Sequence, residues 1–138
     1  MNAQLYAMRG QPALARVFAD SARLAYEQAL AVAPEDGQQN ALLAVSLAFL
    51  GRWEEAIRTA ERAVALTPIE KDAYIGPYIQ LQLARVHMMV GSKDKAVELL
   101  KPLVELPNNL SRAWLRLDPT FDPVPNHPGF QRLVEGTA

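Results

Sequence analysis

Residues Gln38 to Pro68 read QQNALLAVSLAFLGRWEEAIRTAERAVALTP, and their reading decides the fold. An apolar run through Leu43 and Ala44 ends at Gly51, and a second run, Trp53-Glu54-Glu55-Ala56-Ile57, begins two residues later. Glycine tolerates the backbone angles of a tight turn, so Gly51 is expected to reverse the chain between two helices. Ala56 and Ala63 are small enough for those helices to cross closely, and Pro68, lacking an amide hydrogen, closes the unit.

The unit recurs. Gly91-Ser92-Lys93-Asp94-Lys95-Ala96-Val97 repeats the Gly51 to Ile57 turn and crossing. Six more residues than a regular spacing allows lie between Pro68 and Gly91. The helix leading to Gly91 is therefore expected to start early, near Lys71 to Tyr74, with Gly76-Pro77 as a place for a kink. Its partner carries Pro102 well inside and Pro107 one residue before the expected stop. At the front, two frames compete. Tyr26, Ala29 and Pro34 match the end of a second helix, while Tyr6, Gly10 and Ala15 match the end of a first helix, its turn and its crossing. The frames differ by seven residues, close to two helical turns, so one lengthened helix from about Pro12 to Val32 satisfies both. Beyond Pro107, Trp114 and Leu117 start another unit, but Asp118-Pro119, Asp122-Pro123, Pro125 and Pro128 interrupt it, and Gly129 to Val134 reads as a short terminal helix. Helices are predicted near 2–9, 12–33, 38–50, 53–66, 72–90, 93–106, 110–117 and 128–135, paired antiparallel without strands.

This pattern is similar to the tetratricopeptide repeat, a helical hairpin that stacks into an α-solenoid. The early aromatic of that repeat is absent here, Asn40 standing in its place. The resemblance implies an all-α fold and one domain over 1–138: a partial first repeat at 1–36, repeats at 37–70 and 71–108, and a proline-rich cap at 109–138. The order of elements, with Trp114-Leu115-Arg116-Leu117-Asp118-Pro119-Thr120-Phe121-Asp122-Pro123 and His127-Pro128-Gly129-Phe130, also resembles the C-terminal repeat region of large bacterial signalling proteins. In those proteins the repeats follow a serine/threonine kinase, a cyclase or a TolB-like domain. The tail there usually has leucine-arginine where Val124-Pro125 stand.

Composition narrows the function classes. Fourteen basic against fifteen acidic residues give a net charge of −1, which leaves no electrostatic footprint for nucleic acid or anionic lipid. Without cysteine there are no disulfides, thiolate nucleophiles or cysteine-bound zinc. No signal peptide is legible from Met1 to Tyr6. The longest apolar stretch, Ala41 to Leu50, is too short for a bilayer. A cytoplasmic chain without cofactor, metal, nucleic-acid or membrane partner is expected.

The chemistry-bearing residues are few. His87 and His127 would need carboxylates to complete a metal site. His87 is expected to pack between helices and His127 to cap the last one. Ser21, Ser46, Ser92 and Ser111 have no nucleophile-elbow glycines around them, and the seven glycines are isolated, so neither a triad nor a phosphate loop is indicated. The run Glu54, Glu55, Arg58, Glu61, Arg62 reads as a solvated face with Glu54–Arg58 and Glu61–Arg58 pairs. No enzyme is expected. The resemblance instead implies a protein or peptide ligand in a concave groove lined by Gln38, Ala41, Val45, Ala48 and Phe49, by Tyr78, Leu81, Arg85, Met88 and Met89, and by Arg112 and Leu115. Members that clamp a terminal carboxylate use lysine, asparagine and arginine where this chain has Leu42, Tyr78 and Gln82. An apolar groove with one arginine and adaptable methionines suits a hydrophobic or helical segment. The plainer reading of Phe49, Met88 and Met89 is packing between helices. Because Met1 to Arg9 is too short to cover a helix of twenty residues, Leu14, Val17, Phe18 and Leu24 are expected to form a bare stripe that pairs with a second copy.

Overall fold

The computed structural model describes residues 2–106 and 110–136. Its α-helices are α1 (Asn2–Met8), α2 (Pro12–Val32), α3 (Gly37–Phe49), α4 (Trp53–Leu66), α5 (Ile75–Met89), α6 (Lys93–Glu105), α7 (Arg112–Leu117) and α8 (Pro128–Glu135). A 3-10 turn at Pro119–Phe121 lies between the last two, and no strand occurs among the described residues. The fold is an all-α stack of helical hairpins like that of tetratricopeptide repeats. Pro107 lies outside the described residues. No helix among them is long and apolar enough to cross a membrane.

Three equivalent turns build the hairpins. Gly10, Gly51 and Gly91 have φ of +68, +78 and +88°, in the left-handed region that favours glycine. Each turn is closed by the same pair of hydrogen bonds. The Gly51 N–H donates to the Ala48 carbonyl and the Arg52 N–H to that of Leu47; Gly10 and Gln11 bond to Ala7 and Tyr6, and Gly91 and Ser92 to Met88 and His87, in the same way. This double closure satisfies the last carbonyls of the incoming helix and sends the chain back along it. Five residues after each glycine an alanine is buried, Ala15, Ala56 and Ala96, at the point where the two helices touch.

The competing frames at the front are both present. α2 and α4 end alike, at Ala33 (φ −129°, ψ 74°) and Thr67 (φ −138°, ψ 69°), each followed by proline. Counted from these ends the units are 34 residues apart, and counted from Gly10 to Gly51 they are 41 apart. The difference of seven is the extra length of α2, with 21 residues, over α4, with 14.

The approach to α5 differs from expectation. The helix begins at Ile75 rather than at 71–74, because Asp72 Oδ1 accepts from the Tyr74 and Ile75 N–H groups and turns the preceding chain. Pro77 therefore stands in the first turn, where its missing N–H would have had no helical partner, and nothing in α5 needs a kink. Gly76 is required here for space. A Cβ at this position would lie 2.7 Å from Ile69 Cα and 2.8 Å from Ile69 N. Pro102 does sit inside α6, which continues to Glu105, and Gln80 Nε2 donates to the Leu99 carbonyl (2.9 Å) next to the bond that proline cannot make.

The expected pairs on α4 are replaced by Arg52 with Glu55, one turn earlier. Arg52 precedes the helix and Glu55 lies in its first turn, so the carboxylate also gains from the helix N-terminus. At the far end, Leu115, Phe121, Val124, Phe130 and Leu133 close over Leu81, Met88, Val97, Leu100 and Leu103 to form one core cluster. Phe121 and Phe130 stack with centroids 5.9 Å apart. His127 caps α8, its Nδ1 accepting from the Gly129 (3.1 Å) and Phe130 (3.4 Å) N–H groups, which leaves Nε2–H to donate to Asp94 on α6 at 2.6 Å. Arg112 and Arg116 donate to the Leu133 and Val134 carbonyls at the other end of α8.

Candidate functional site

The first helices of the hairpins present one continuous face to a concavity of about 600 Å³. Leu42, Val45, Ser46 and Phe49 line it from α3, at helical spacings of three and four, and Tyr78, Gln82, Arg85 and Met89 line it from α5. The lengthened α2 supplies Phe18, Ala19, Ala22 and Tyr26. One end is closed. Asn2, Ala3 and Gln4 of α1 reach over the groove, and Gln4 Nε2 donates to Thr120 Oγ1 in the 3-10 turn at 3.3 Å. Tyr6 stacks on Phe18 at 5.0 Å with the rings within 5° of parallel.

A smaller concavity of about 320 Å³ adjoins it, walled by Tyr74, Pro77, Tyr78, Leu81, Leu110 and Trp114. Tyr78 and Arg85 border both. Burial pushes the Tyr78 phenol up, against the opposing effect of the Arg85 charge, so it remains an O–H donor at neutral pH.

Among the described residues Arg85 is the one charged side chain lining the larger groove, and it is already engaged. Its Nη2 donates to Asp118 Oδ2 at 2.6 Å and its Nη1 to Gln82 Oε1 at 3.2 Å, while Asp118 Oδ1 accepts from the Thr120 N–H at 3.0 Å. Asp118 is buried, with only 2% of its side chain exposed against 21% for Arg85. Burial alone would raise the Asp118 carboxyl, but the Arg85 hydrogen bond and charge, with the bonds from Thr120, outweigh it and hold the carboxyl below the usual range. The guanidinium thus fastens the C-terminal cap to α5 and is not a free anion receptor.

The expected groove residues divide accordingly. Val45, Phe49, Tyr78, Arg85 and Met89 meet in the larger groove, and Leu81 lines the smaller one. Ala41, Ala48, Met88 and Leu115 lie in the core clusters between helices. Gln38 is exposed at the start of α3, outside both concavities, and Arg112 is taken up in holding α8. Leu42 and Gln82, which occupy the carboxylate-clamp positions, do line the groove, whereas the contributions of Phe18, Tyr26, Gln4 and Thr120 were not anticipated. The i, i+4, i+7 spacing of Tyr78, Gln82 and Arg85 was the available signal for Gln82. Phe18 is also displaced from the bare stripe by its stack on Tyr6. Leu14, Val17 and Leu24 are exposed.

His87, expected between helices, is 7% exposed, with no hydrogen-bond partner for either ring nitrogen. Burial lowers its pKa, partly opposed by Glu61 and reinforced by Lys95. Among the described residues no group of three or more His, Cys, Asp or Glu is placed to hold a metal ion.

Residues 41–62 match the tetratricopeptide repeat family model. The matched segment is α3 from Ala41, the Gly51 turn and most of α4, the hairpin whose geometry recurs at Gly10 and Gly91. No curated protein and no solved structure matches the chain. Tetratricopeptide hairpins generally mediate protein–protein interaction.

Proposed function

We propose that the chain is a non-catalytic protein-interaction module of a bacterial signalling or regulatory protein, working in the cytoplasm, and that its groove receives a short apolar segment of a protein partner. The observation that carries this reading is the wall formed by Phe18, Tyr26, Val45, Phe49 and Met89 around about 600 Å³, within the range of ligand sites. Gln82, Tyr78 and Thr120 offer polar groups at its edge. Methionine and aromatic side chains adapt to apolar partners of varied shape. The order of elements after α6 supports the signalling context. Peptides selected from a displayed library should be apolar, and Met89→Glu should weaken them at least tenfold while Leu14→Glu leaves them unchanged. Equal binding to Met89→Glu would remove the groove from the account.

A second reading rests on the exposure of Leu14 (43%), Val17 (59%) and Leu24 (48%) along α2. In it the chain pairs with another copy through the first two helices. Sedimentation should then show a concentration-dependent mass that Val17→Glu abolishes. A monomer at every concentration would reject it.

A further inference from the structure

We propose that α1 is a strap over the groove, swinging about Gly10 to admit and then hold the partner segment. This rests on the groove being the binding site. Three observations converge on it. First, α1 has seven residues and none of them is buried, and a helix so short does not persist in water on its own. Its position is therefore set by its attachments rather than by a core of its own. Second, those attachments lie across the groove mouth. Asn2, Ala3 and Gln4 border the cavity, Gln4 bonds to Thr120 on the far rim, and Tyr6 lies flat on Phe18 of the groove wall. Third, the joint to α2 is a single glycine turn. Gly10 has a left-handed φ of +68°, a Cβ placed on it would meet nothing within 4 Å, and the joint is held by two backbone hydrogen bonds, from Gly10 N–H to Ala7 and from Gln11 N–H to Tyr6. The equivalent helices α3 and α5, by contrast, carry eight and ten buried residues, which fixes them in the stack. Opening the strap breaks the Tyr6–Phe18 stack, the Gln4–Thr120 hydrogen bond and the packing of α1 along α2, and gives access to the groove floor at Ser46, which is 6% exposed in the closed form. The same step would break the circuit that joins the first helix of the chain to its cap, 116 residues away.

The absence of cysteine from the chain allows a direct test. A single thiol introduced by Ser46→Cys, on the groove floor, is alkylated with iodoacetamide, and a second single-thiol chain, Ala60→Cys in the core, reports opening of the whole fold. Adding Tyr6→Ala should raise the Ser46→Cys rate about tenfold and leave the Ala60→Cys rate unchanged. An unchanged Ser46→Cys rate overturns the proposal. If both thiols react faster, the substitution has loosened the fold, and distances between spin labels at Ala7→Cys and Asp122→Cys in the otherwise native chain decide. Two separations support the strap, and a single short one overturns it. The thiol and label measurements need no ligand. A chain whose strap moves but whose groove selects no peptide would refute the binding function alone, and a groove that binds peptide behind an immobile α1 would refute the strap alone.

Discussion

Replacing Ala56 by leucine tests the hairpin packing most directly. Ala56 is 0% exposed and sits where α4 crosses α3, in a cluster with Leu43, Leu47, Ala60 and Val86. Leucine adds three carbons to a site with no room, and α3 cannot retreat, because it is also packed against α2 and α5. Overpacking of this kind costs about 1–3 kcal/mol. With an unfolding entropy of about 2.1 cal/mol/K per residue, a chain of this length loses about 3 °C of Tm for each kcal/mol, so a fall of about 3–10 °C is expected. The informative comparison is Ala15→Leu. Ala15 occupies the equivalent place in the first hairpin and is 5% exposed, but its neighbour α1 has no buried residue and can yield. There the cost should stay below about 1 kcal/mol. Urea and thermal denaturation followed by circular dichroism at 222 nm would measure both. Equal effects at the two sites, or no effect at Ala56, would refute the assignment of Ala56 to a tight crossing and of α1 to a loosely held one.

Asp118→Asn should cost about 2–3 kcal/mol in urea denaturation, somewhat less than breaking a fully buried pair because Arg85 keeps part of its surface in water. Since the Asp118 carboxyl is held below its usual range, its contribution is complete above the unfolded value of about 4 and is lost as pH falls through the folded one, an acid loss that Asp118→Asn should lack. His87 behaves in the opposite chemical sense with the same direction in pH. Its lowered pKa means that the unfolded chain takes up a proton first, so stability falls as pH drops below about 6.5, until the folded pKa is reached, by at most about 1.4 kcal/mol per pH unit. His87→Leu should flatten that limb in denaturation curves measured from pH 7.5 to 5. Gly76→Ala should cost about 1–3 kcal/mol, because the added carbon meets the Ile69 backbone rather than a movable side chain, and hydrogen exchange should quicken in the connector from Pro68 to Asp72.

Helix positions were legible wherever glycine and proline punctuate the chain. The turns at Gly10, Gly51 and Gly91 and the stops at Pro34 and Pro68 act through their own backbones, so neighbours in sequence suffice to place them. The start of α5 was misplaced because a side-chain cap by Asp72 competes with helix extension, and residue spacing does not weigh the two. Groove residues were legible only to within a step around each helix. Ala41 and Met88 follow the same i+3 and i+4 spacings as Val45 and Met89, but the angle between neighbouring hairpins turns the former into the core. The Gln4–Thr120 and Arg85–Asp118 bonds could not be read at all, since both depend on how far the stack curves before its ends approach.

The proline-rich end gives the stack a direction. Phe121, Val124, Phe130 and Leu133 seal the outer surface of the last hairpin, and His127 bolts that seal to Asp94, so another hairpin cannot be added beyond α8 without first removing it. At the opposite end the described residues form no such stopper: Met8, Leu14 and Val17 are exposed. Engineered extension of this protein by further hairpins should therefore succeed ahead of α1 and fail behind α8, as a row of bricks can be lengthened only on the side without a wall.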